Sequence, residues 1–403
     1  MRAVDTSGII VQQLPAERPT LRVAVVTETY PPEINGVAMT LGRLVDGMRR
    51  RLHSVQLIRP RQGNGDAPSR ADGFEELLKP SLPLPRYANL RVGLPARQAL
   101  VRAWSLRRPD AVHIATEGPL GWSALQAATR LKLPVMTGFH TNFHTYTAYY
   151  GVAWLRKSIL GYLRKFHNRA GATLVPTHEM LEQLAAEGFQ RLRVVSRGVD
   201  VELFGPARRR RDLRKSWGVG DDDLAVIHVG RLAAEKNLPL VLRAFNAVKT
   251  RNPSARLVLV GDGPERRALE AGSPQHVYAG MRTGVDLAEH YASGDLFLFP
   301  SLTETYGNVT VEAMASGLAV VAFDYAAARE HIRHGENGLV AACDDADRFV
   351  SLAAELAADP QQRRFLGESA RATALPLSWN NIHDEVEEAL WDVIRWSEQV
   401  AYA

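Results

Sequence analysis

Short apolar runs of strand length alternate with amphipathic stretches of helix length along nearly the whole chain. In the first half, the runs that predict buried strands are residues 21–27, 111–115, 134–138 and 172–176. In the second half, the same rhythm restarts and gives runs at residues 225–230, 256–261, 295–300 and 318–322. Continuous apolar strands that alternate with helices are typical of parallel sheets covered on both faces. The pattern therefore predicts a doubly wound α/β protein.

The length of 403 residues is too great for one ordinary core and suits two α/β domains. The break between the two sets of strands falls at residues 205–216, a polar stretch with four consecutive arginines. We expect a loose extension over residues 1–20, an N-terminal Rossmann-like domain over 21–204 and a C-terminal one over 205–378.

The net charge of +5 is divided unevenly along the chain. Residues 1–200 contain 27 Lys and Arg against 15 Asp and Glu, and the remainder contains 22 against 29. The first half, at +12, is expected to attract anionic partners such as lipid head groups or phosphorylated acceptors. Chance in an Arg-rich composition is the alternative.

Targeting features are sparse. The single Cys343 cannot form an internal disulfide, which favours a reducing compartment. The first twenty residues do not resemble a secretory signal, and no run of about 18 apolar residues is present. We therefore expect a cytoplasmic protein, with peripheral association at the inner face of the membrane as an option.

Two loops after strands of the second half contain the most informative residues. Gly230-Arg231 and Lys236 follow the first of these strands and place two cations where a diphosphate could bind. Glu304 and Gly307 follow the strand at 295–300, and a helix is predicted to begin near Asn308.

The predicted helix start offers the backbone N–H groups of Asn308 and Val309 to an anion, and Gly307 permits close approach. Glu312 lies about one helical turn further on, where its carboxylate can accept both hydroxyls of a ribose. Either glutamate alone would suit an ordinary surface, but their joint placement around Gly307 favours a binding site.

The first half contributes two comparable loops. Gly36 stands just before a helix and again offers backbone donors to an anion. His140 and His144 follow the strand at 134–138, but no carboxylates accompany them at ligand spacing, so zinc is disfavoured. Glu117 ends another strand, with a purely structural role as its alternative.

Glu304 and Glu312, separated by seven residues and preceded by Gly230-Arg231 and Lys236, resemble the retaining family 4 glycosyltransferases of the GT-B fold. The resemblance covers the chain from about residue 21 to the C-terminus. It implies two facing Rossmann-like domains, with the last residues, 379–403, crossing back onto the first domain. One departure is Tyr306, where the family usually has Phe.

The resemblance also implies roles for the candidate residues. Arg231 and Lys236 would hold the donor diphosphate, Glu312 the ribose, and Glu304 and His140 the transferred sugar. The base would pack near Met281, and Gly36 would approach the donor phosphate. Apart from the resemblance, Glu117 and His144 are assigned to the acceptor side, with a purely structural role as the alternative for both. No metal and no cofactor beyond the nucleotide sugar are implied.

The loops around residues 116–118 and 140–146 resemble the subgroup that transfers mannose or related hexoses to lipid acceptors. GDP-mannose is the first choice of donor and UDP-glucose the second, and the acceptor is a lipid or a glycan rather than nucleic acid. The basic, apolar helix predicted at 154–166 could bind an anionic membrane or simply face the core. A nucleotide-sugar epimerase of the same fold and a non-catalytic nucleotide-sugar-binding protein are the alternatives.

Overall fold

The computed structural model describes residues 19–33, 35–63, 65–84, 87–140 and 156–402. Within these residues the chain forms two large sheets with helices packed around them, so the predicted α/β architecture is confirmed. Of the candidate site residues, His144 alone lies outside the described residues.

The first sheet has eight strands, and all neighbours are parallel except the last pair. Its strands are β1 Arg22–Val26, β2 Ser54–Pro60, β3 Arg70–Ala71, β4 Phe74–Lys79, β7 Ala111–Ile114, β8 Val135–Gly138, β9 Ala172–Val175 and β10 Leu192–Val194. A separate antiparallel pair consists of β5 Ser81–Leu84 and β6 Tyr87–Gly93. The order in the sheet is β10-β9-β8-β7-β1-β2-β4-β3, with β3 antiparallel to β4.

Helices of this half connect the strands and cover the sheet. They are α1 Gly36–Arg50, α2 Arg97–Leu106, α3 Pro119–Leu131, α4 Arg156–His167 and α5 His178–Ala186. Helix α4 overlaps the helix predicted at residues 154–166 and ends one residue later, whereas residues 154 and 155 of that prediction lie outside the described residues.

The second sheet is six-stranded and wholly parallel. Its strands are β11 Ala225–Val229, β12 Arg256–Val260, β13 Val277–Gly280, β14 Leu296–Phe299, β15 Ala319–Phe323 and β16 Leu339–Ala341, in the order β13-β12-β11-β14-β15-β16. The helices of this half are α6 Arg211–Ser216, α7 Leu238–Arg251, α8 Arg266–Gly272, α9 Gly284–Ser293, α10 Asn308–Ala315, α11 Ala327–His331, α12 Ala346–Ala358 and α13 Pro360–Ala374.

The order of the second sheet reverses between β11 and β14, and that of the first between β1 and β7. Ligands of open parallel sheets bind beyond the carboxyl ends of the strands at such a switch point. The loop with Arg231 and Lys236 follows β11, and the loop with Glu304 and Gly307 follows β14. Tertiary structure therefore brings these two loops together.

The last helix, α14 Trp379–Tyr402, returns to the first half of the chain. Its residues Ile382, Val386, Ala389 and Leu390 are buried in the same apolar cluster as β1. The expected crossing of the C-terminal segment onto the first domain is confirmed. No helix in the part of the chain that the structure describes is long and apolar enough to span a bilayer.

Candidate active site

Lys236 and Glu304 meet where the loops after β11 and β14 lie side by side. Lys236 ends a short 3-10 helix, and its Nζ contacts the Oε1 of Glu304. The hydroxyl of Ser301 donates to the same carboxylate oxygen at 2.8 Å. The backbone N–H of Leu302 donates to the carbonyl of Glu235 at 3.0 Å, which fixes one loop against the other.

Arg231 lies on the same loop but outside this cluster. Its side chain is 66% exposed and pairs with Glu235 one turn further on, at 2.9 Å, whereas the side chain of Lys236 is only 14% exposed. The exposed ion pair is worth little and can exchange for a stronger anion. The structure thus places Lys236 in a fixed position and leaves Arg231 at the surface beside it.

The loop after β12 supports the loop after β11 through close backbone contact. Gly261 has a φ of +135°, and a Cβ there would lie 1.9 Å from the carbonyl oxygen of Gly230. No side chain can be accommodated, so glycine is required at this position. The turn after β12 therefore supports the loop that contains Arg231 and Lys236.

Helix α10 begins with an open N-terminus. Gly307 is its N-cap residue, with a φ of +90°, and no side chain of the described residues caps the helix. The backbone N–H groups of Asn308 and Val309 are therefore available to an anion. A Cβ on Gly307 would lie 3.4 Å from the Cγ of Glu304, which places the helix start next to the Lys236 and Glu304 pair.

Glu312 points inward from the second turn of α10. Tyr291, on α9, donates its hydroxyl to the Oε2 of Glu312 at 3.0 Å. Burial raises the pKa of Glu312 to about 7, and the hydrogen bond from Tyr291 opposes that shift. A carboxylate held ready to accept hydroxyl groups is what the predicted ribose contact requires. Met281, predicted to lie near the base, follows β13 and is 62% exposed.

In the first half of the chain, Gly36 is the first residue of α1. The side chain of Asn35 caps this helix by accepting from the N–H groups of Val37 at 3.1 Å and Ala38 at 2.9 Å. A Cβ on Gly36 would lie 3.2 Å from the Nη1 of Arg197, so the helix start directly faces a guanidinium.

His140 lies at the end of β8, and neither of its ring nitrogens has a hydrogen-bond partner among the described residues. Burial lowers its pKa well below the usual value, and the charge of Arg197 acts in the same direction. The imidazole is therefore neutral near pH 7 and can accept or donate one hydrogen bond to a substrate hydroxyl.

Glu117 belongs to a buried network with α4. Its Oε1 lies 3.2 Å from the Nε2 of His167, whose Nδ1 lies 2.9 Å from the Oγ1 of Thr137. The backbone carbonyl of Glu117 accepts from the hydroxyl of Tyr162 at 2.5 Å. These contacts give Glu117 a structural role in joining α4 to the sheet, and its predicted acceptor contact stays a prediction.

Arg197 is the residue that sequence reasoning missed. It follows β10, in the sequence Ser196-Arg197-Gly198, and its guanidinium lies over the ring of Tyr306, 5.9 Å from the centroid. The hydroxyl of Tyr306 donates to the backbone carbonyl of Arg197 at 3.2 Å, so this departure from Phe joins the two halves. An arginine followed by glycine just past a strand was the available signal, because Arg231 also stands beside a glycine past a strand.

Two mainly parallel sheets, with a cation, two glutamates and an uncapped helix start at the switch point of the second sheet, define a nucleotide-sugar transferase of the GT-B architecture. No group of three or more metal-ligating side chains occurs among the described residues. The sequence profile of "Glycosyltransferase Family 4" matches residues 34–203, and that of "Glycosyl transferases group 1" matches residues 223–359. The chain belongs to the family 4 glycosyltransferases and is a hexosyltransferase.

Known proteins similar to this chain agree with that assignment. A GDP-mannose-dependent alpha-mannosyltransferase of Mycobacterium tuberculosis is 34% identical over 91% of this chain and 95% of its own length. An alpha-monoglucosyldiacylglycerol synthase of Streptococcus pneumoniae is 26% identical over 75% of this chain and 71% of its own.

Among solved structures, sucrose-phosphate synthase of Thermosynechococcus elongatus is similar, with a TM-score of 0.72 at 17% identity. The match covers 95% of this chain and 100% of that protein, and it supports the fold alone. The predicted fold class and family are thereby confirmed, and neither the epimerase nor the non-catalytic alternative gains support.

Proposed function

We propose that this enzyme transfers a mannosyl group from GDP-mannose to a lipid acceptor, with retention of configuration and without a metal ion. The observation that carries the proposal is the likeness to the mycobacterial mannosyltransferase, which extends over 95% of that protein. The side chains of Lys236, Glu304 and Glu312 and the open start of α10, at the switch point of the second sheet, are consistent with it.

The donor would lie along the loops after β11 and β14. Lys236 and the open N–H groups of Asn308 and Val309 supply positive charge for the diphosphate, and Arg231 can leave Glu235 to join them. Glu312 would accept the ribose hydroxyls. This arrangement assigns the stabilisation of the leaving diphosphate to side chains and backbone N–H groups, so no metal or additional cofactor is needed.

Retention is proposed from the resemblance to the retaining family 4 glycosyltransferases. The Oε1 of Glu304 already contacts Lys236 and Ser301, so this carboxylate is not prepared to attack the anomeric carbon. We therefore favour displacement on the same face of the sugar. The acceptor hydroxyl then approaches from the side on which the diphosphate departs.

Two observations support a lipid acceptor. The streptococcal relative is named as a diacylglycerol glycoside synthase, and α4 exposes Lys157, Arg164 and Lys165. Basic side chains on an exposed helix can bind anionic head groups and bring the cleft to the membrane surface, where a lipid acceptor lies.

The test is a transfer assay with purified protein, GDP-mannose or UDP-glucose, and a panel of diacylglycerol-based lipids in micelles. We expect mannosylated lipid with an α-linkage, identified by mass spectrometry and by the anomeric carbon–proton coupling. Glu304→Gln controls for contaminating activity. A strong preference for UDP-glucose would contradict the proposed donor, and a β-linked product would contradict retention.

A further inference from the structure

Arg197 lies where the two connections between the halves of the chain touch each other. The N–H of Val199 donates to the carbonyl of Leu377 at 2.8 Å, and a Cβ on Gly198 would lie 2.6 Å from the ring of Trp379. The backbone next to Arg197 is therefore held in place by both connections.

The guanidinium of Arg197 is buried, and it has no counterion among the described residues. The residue is 7% exposed, and its Nε and Nη2 are buried without a hydrogen-bond partner. No carboxylate in the described part of the chain forms an ion pair with it, although the face of Tyr306 lies beneath it. Burying a cation without such a partner is costly, and desolvation accordingly lowers the pKa of Arg197.

The side chain of Arg197 extends toward a second positive group. Its Nη1 lies close to Gly36, the first residue of the 15-residue helix α1. A helix start carries partial positive charge, so it repels the cation beside it. Two positive groups converge here. An anion entering between them would neutralise the guanidinium and be attracted by the helix start, where Asn35 already accepts from the N–H groups of Val37 and Ala38. These two positive groups are complementary to the negative charge of a phosphoryl group.

We propose that Arg197 binds the sugar-bearing phosphate of the donor and stabilises its charge as the diphosphate leaves. This rests on the proposed function and adds a cation from the connection between the halves. The charge of Arg197 lowers the pKa of His140, and the charge of Glu304 raises that of Arg197. Arg197 is therefore electrostatically coupled to the two residues that are predicted to contact the transferred sugar. The phosphate next to that sugar is the distal one.

In the transfer step, the bond between the anomeric carbon and the distal phosphate oxygen breaks, and its electron pair stays on the phosphate. The acceptor oxygen bonds to the anomeric carbon, and its proton passes to the phosphate oxygen. Negative charge builds on the oxygen that leaves, so a cation positioned beforehand lowers the barrier. Arg197 should then affect kcat as well as donor affinity.

The experiment compares GDP with GMP, because the two differ by the distal phosphate alone. Affinities are measured by calorimetry, without acceptor, for wild type, Arg197→Met, Arg197→Lys and the control Arg102→Gln, which removes one exposed charge. We expect Arg197→Met to weaken GDP at least about tenfold and to leave GMP unchanged. Arg197→Lys should recover part of the loss, and the control should match wild type.

Stability separates this role from a structural one. Since the methionine removes an uncompensated buried charge, ligand-free Arg197→Met should unfold at the same temperature as wild type or higher. An unchanged ratio of GDP to GMP affinity in Arg197→Met would overturn the proposal, and so would equal weakening of both. An effect confined to the KM of the acceptor would assign Arg197 to an acceptor phosphate and would also overturn it.

The choice of nucleotide is tested separately by the wild type. If wild type binds UDP and not GDP, the proposed donor is wrong, and the same comparison is made with UDP and UMP. A selective loss of UDP affinity in Arg197→Met would then still support the role of Arg197.

Discussion

Tyr291 donates its hydroxyl to Glu312 at 3.0 Å and is the group that keeps this buried carboxylate from an even higher pKa. The pair links α9 to α10 through the carboxylate that is predicted to bind the ribose. Its arrangement suits a ligand that brings two more hydroxyl donors, because each would stabilise the charged form of the carboxylate.

The raised pKa of Glu312 has a consequence for stability. A carboxyl whose pKa is about 7 in the folded protein and 4.5 in the unfolded chain stabilises the fold below pH 4.5. That contribution is lost as the pH rises through 7. Glu312→Gln should therefore leave stability unchanged near pH 4.5 and raise it at pH 8, by no more than about 3 kcal/mol.

Thermal unfolding of the ligand-free protein at the two pH values checks this expectation. The same variant should lose donor affinity, since an amide accepts the ribose hydroxyls less well than a carboxylate. A variant equally or less stable than wild type at pH 8 would mean that Glu312 is not the buried group described here.

Lys236→Ala and Arg231→Ala should both weaken donor binding and slow transfer, because both cations are predicted to pair with the diphosphate. Each charged hydrogen bond is worth about 1.5–3 kcal/mol, which corresponds to roughly ten- to a hundredfold in affinity. The fold should survive, since neither side chain lies in an apolar core cluster. Calorimetry and steady-state kinetics measure the effect, with the exposed Lys249→Ala as the matched control. Wild-type affinity and rate in both variants would remove the two residues from the site.

Activity should persist after treatment with EDTA. The charge on the leaving diphosphate is assigned to Lys236, Arg231, Arg197 and the N-terminus of α10, all supplied by the chain itself. The measurement is the transfer rate before and after chelation and dialysis. Loss of turnover that only a divalent ion restores would contradict metal-independent transfer.

The exposed basic residues of α4 should bind anionic lipid. Each contributes on the order of 1 kcal/mol near an anionic surface, and salt screens the attraction. Lys157→Gln/Lys165→Gln should therefore reduce sedimentation with vesicles that contain phosphatidylglycerol, most clearly at low salt. Arg164 is left in place because its Nη1 donates to the carbonyl of Glu187 at 2.9 Å.

The matched control for this experiment is Lys249→Gln/Arg251→Gln, which removes two exposed charges from the last turn of α7. Equal sedimentation of both double variants and wild type would make α4 an ordinary surface helix. A soluble acceptor would then be the better hypothesis.

The sequence by itself determined the strands whose two faces are both covered. All five residues of β11 are buried, and the same holds for β15. Strand β15 therefore appears as an uninterrupted apolar run, and β11 as an apolar run that only His228 interrupts. The sequence also predicted the glutamates and Gly307 around the start of α10 as a site, because the strand, the loop and the helix start follow one another directly in sequence.

Strand β2 was not predicted, since its run contains Gln56 and Arg59. Arg59 is nevertheless buried, because Asp66 and Glu76 pair with its guanidinium at 2.7 and 3.2 Å. The counterions come from outside the strand, so periodicity within it carries no sign of them.

Only the tertiary structure decided the placement of Arg197. Gly36 lies 161 positions before it and Tyr306 lies 109 positions after it, and the packing of the two halves brings all three together. An apolar run in the sequence predicts a buried strand, because the burial of a strand depends on its own residues. A cation held between two domains is defined by the groups it faces, and these are set by how the domains meet.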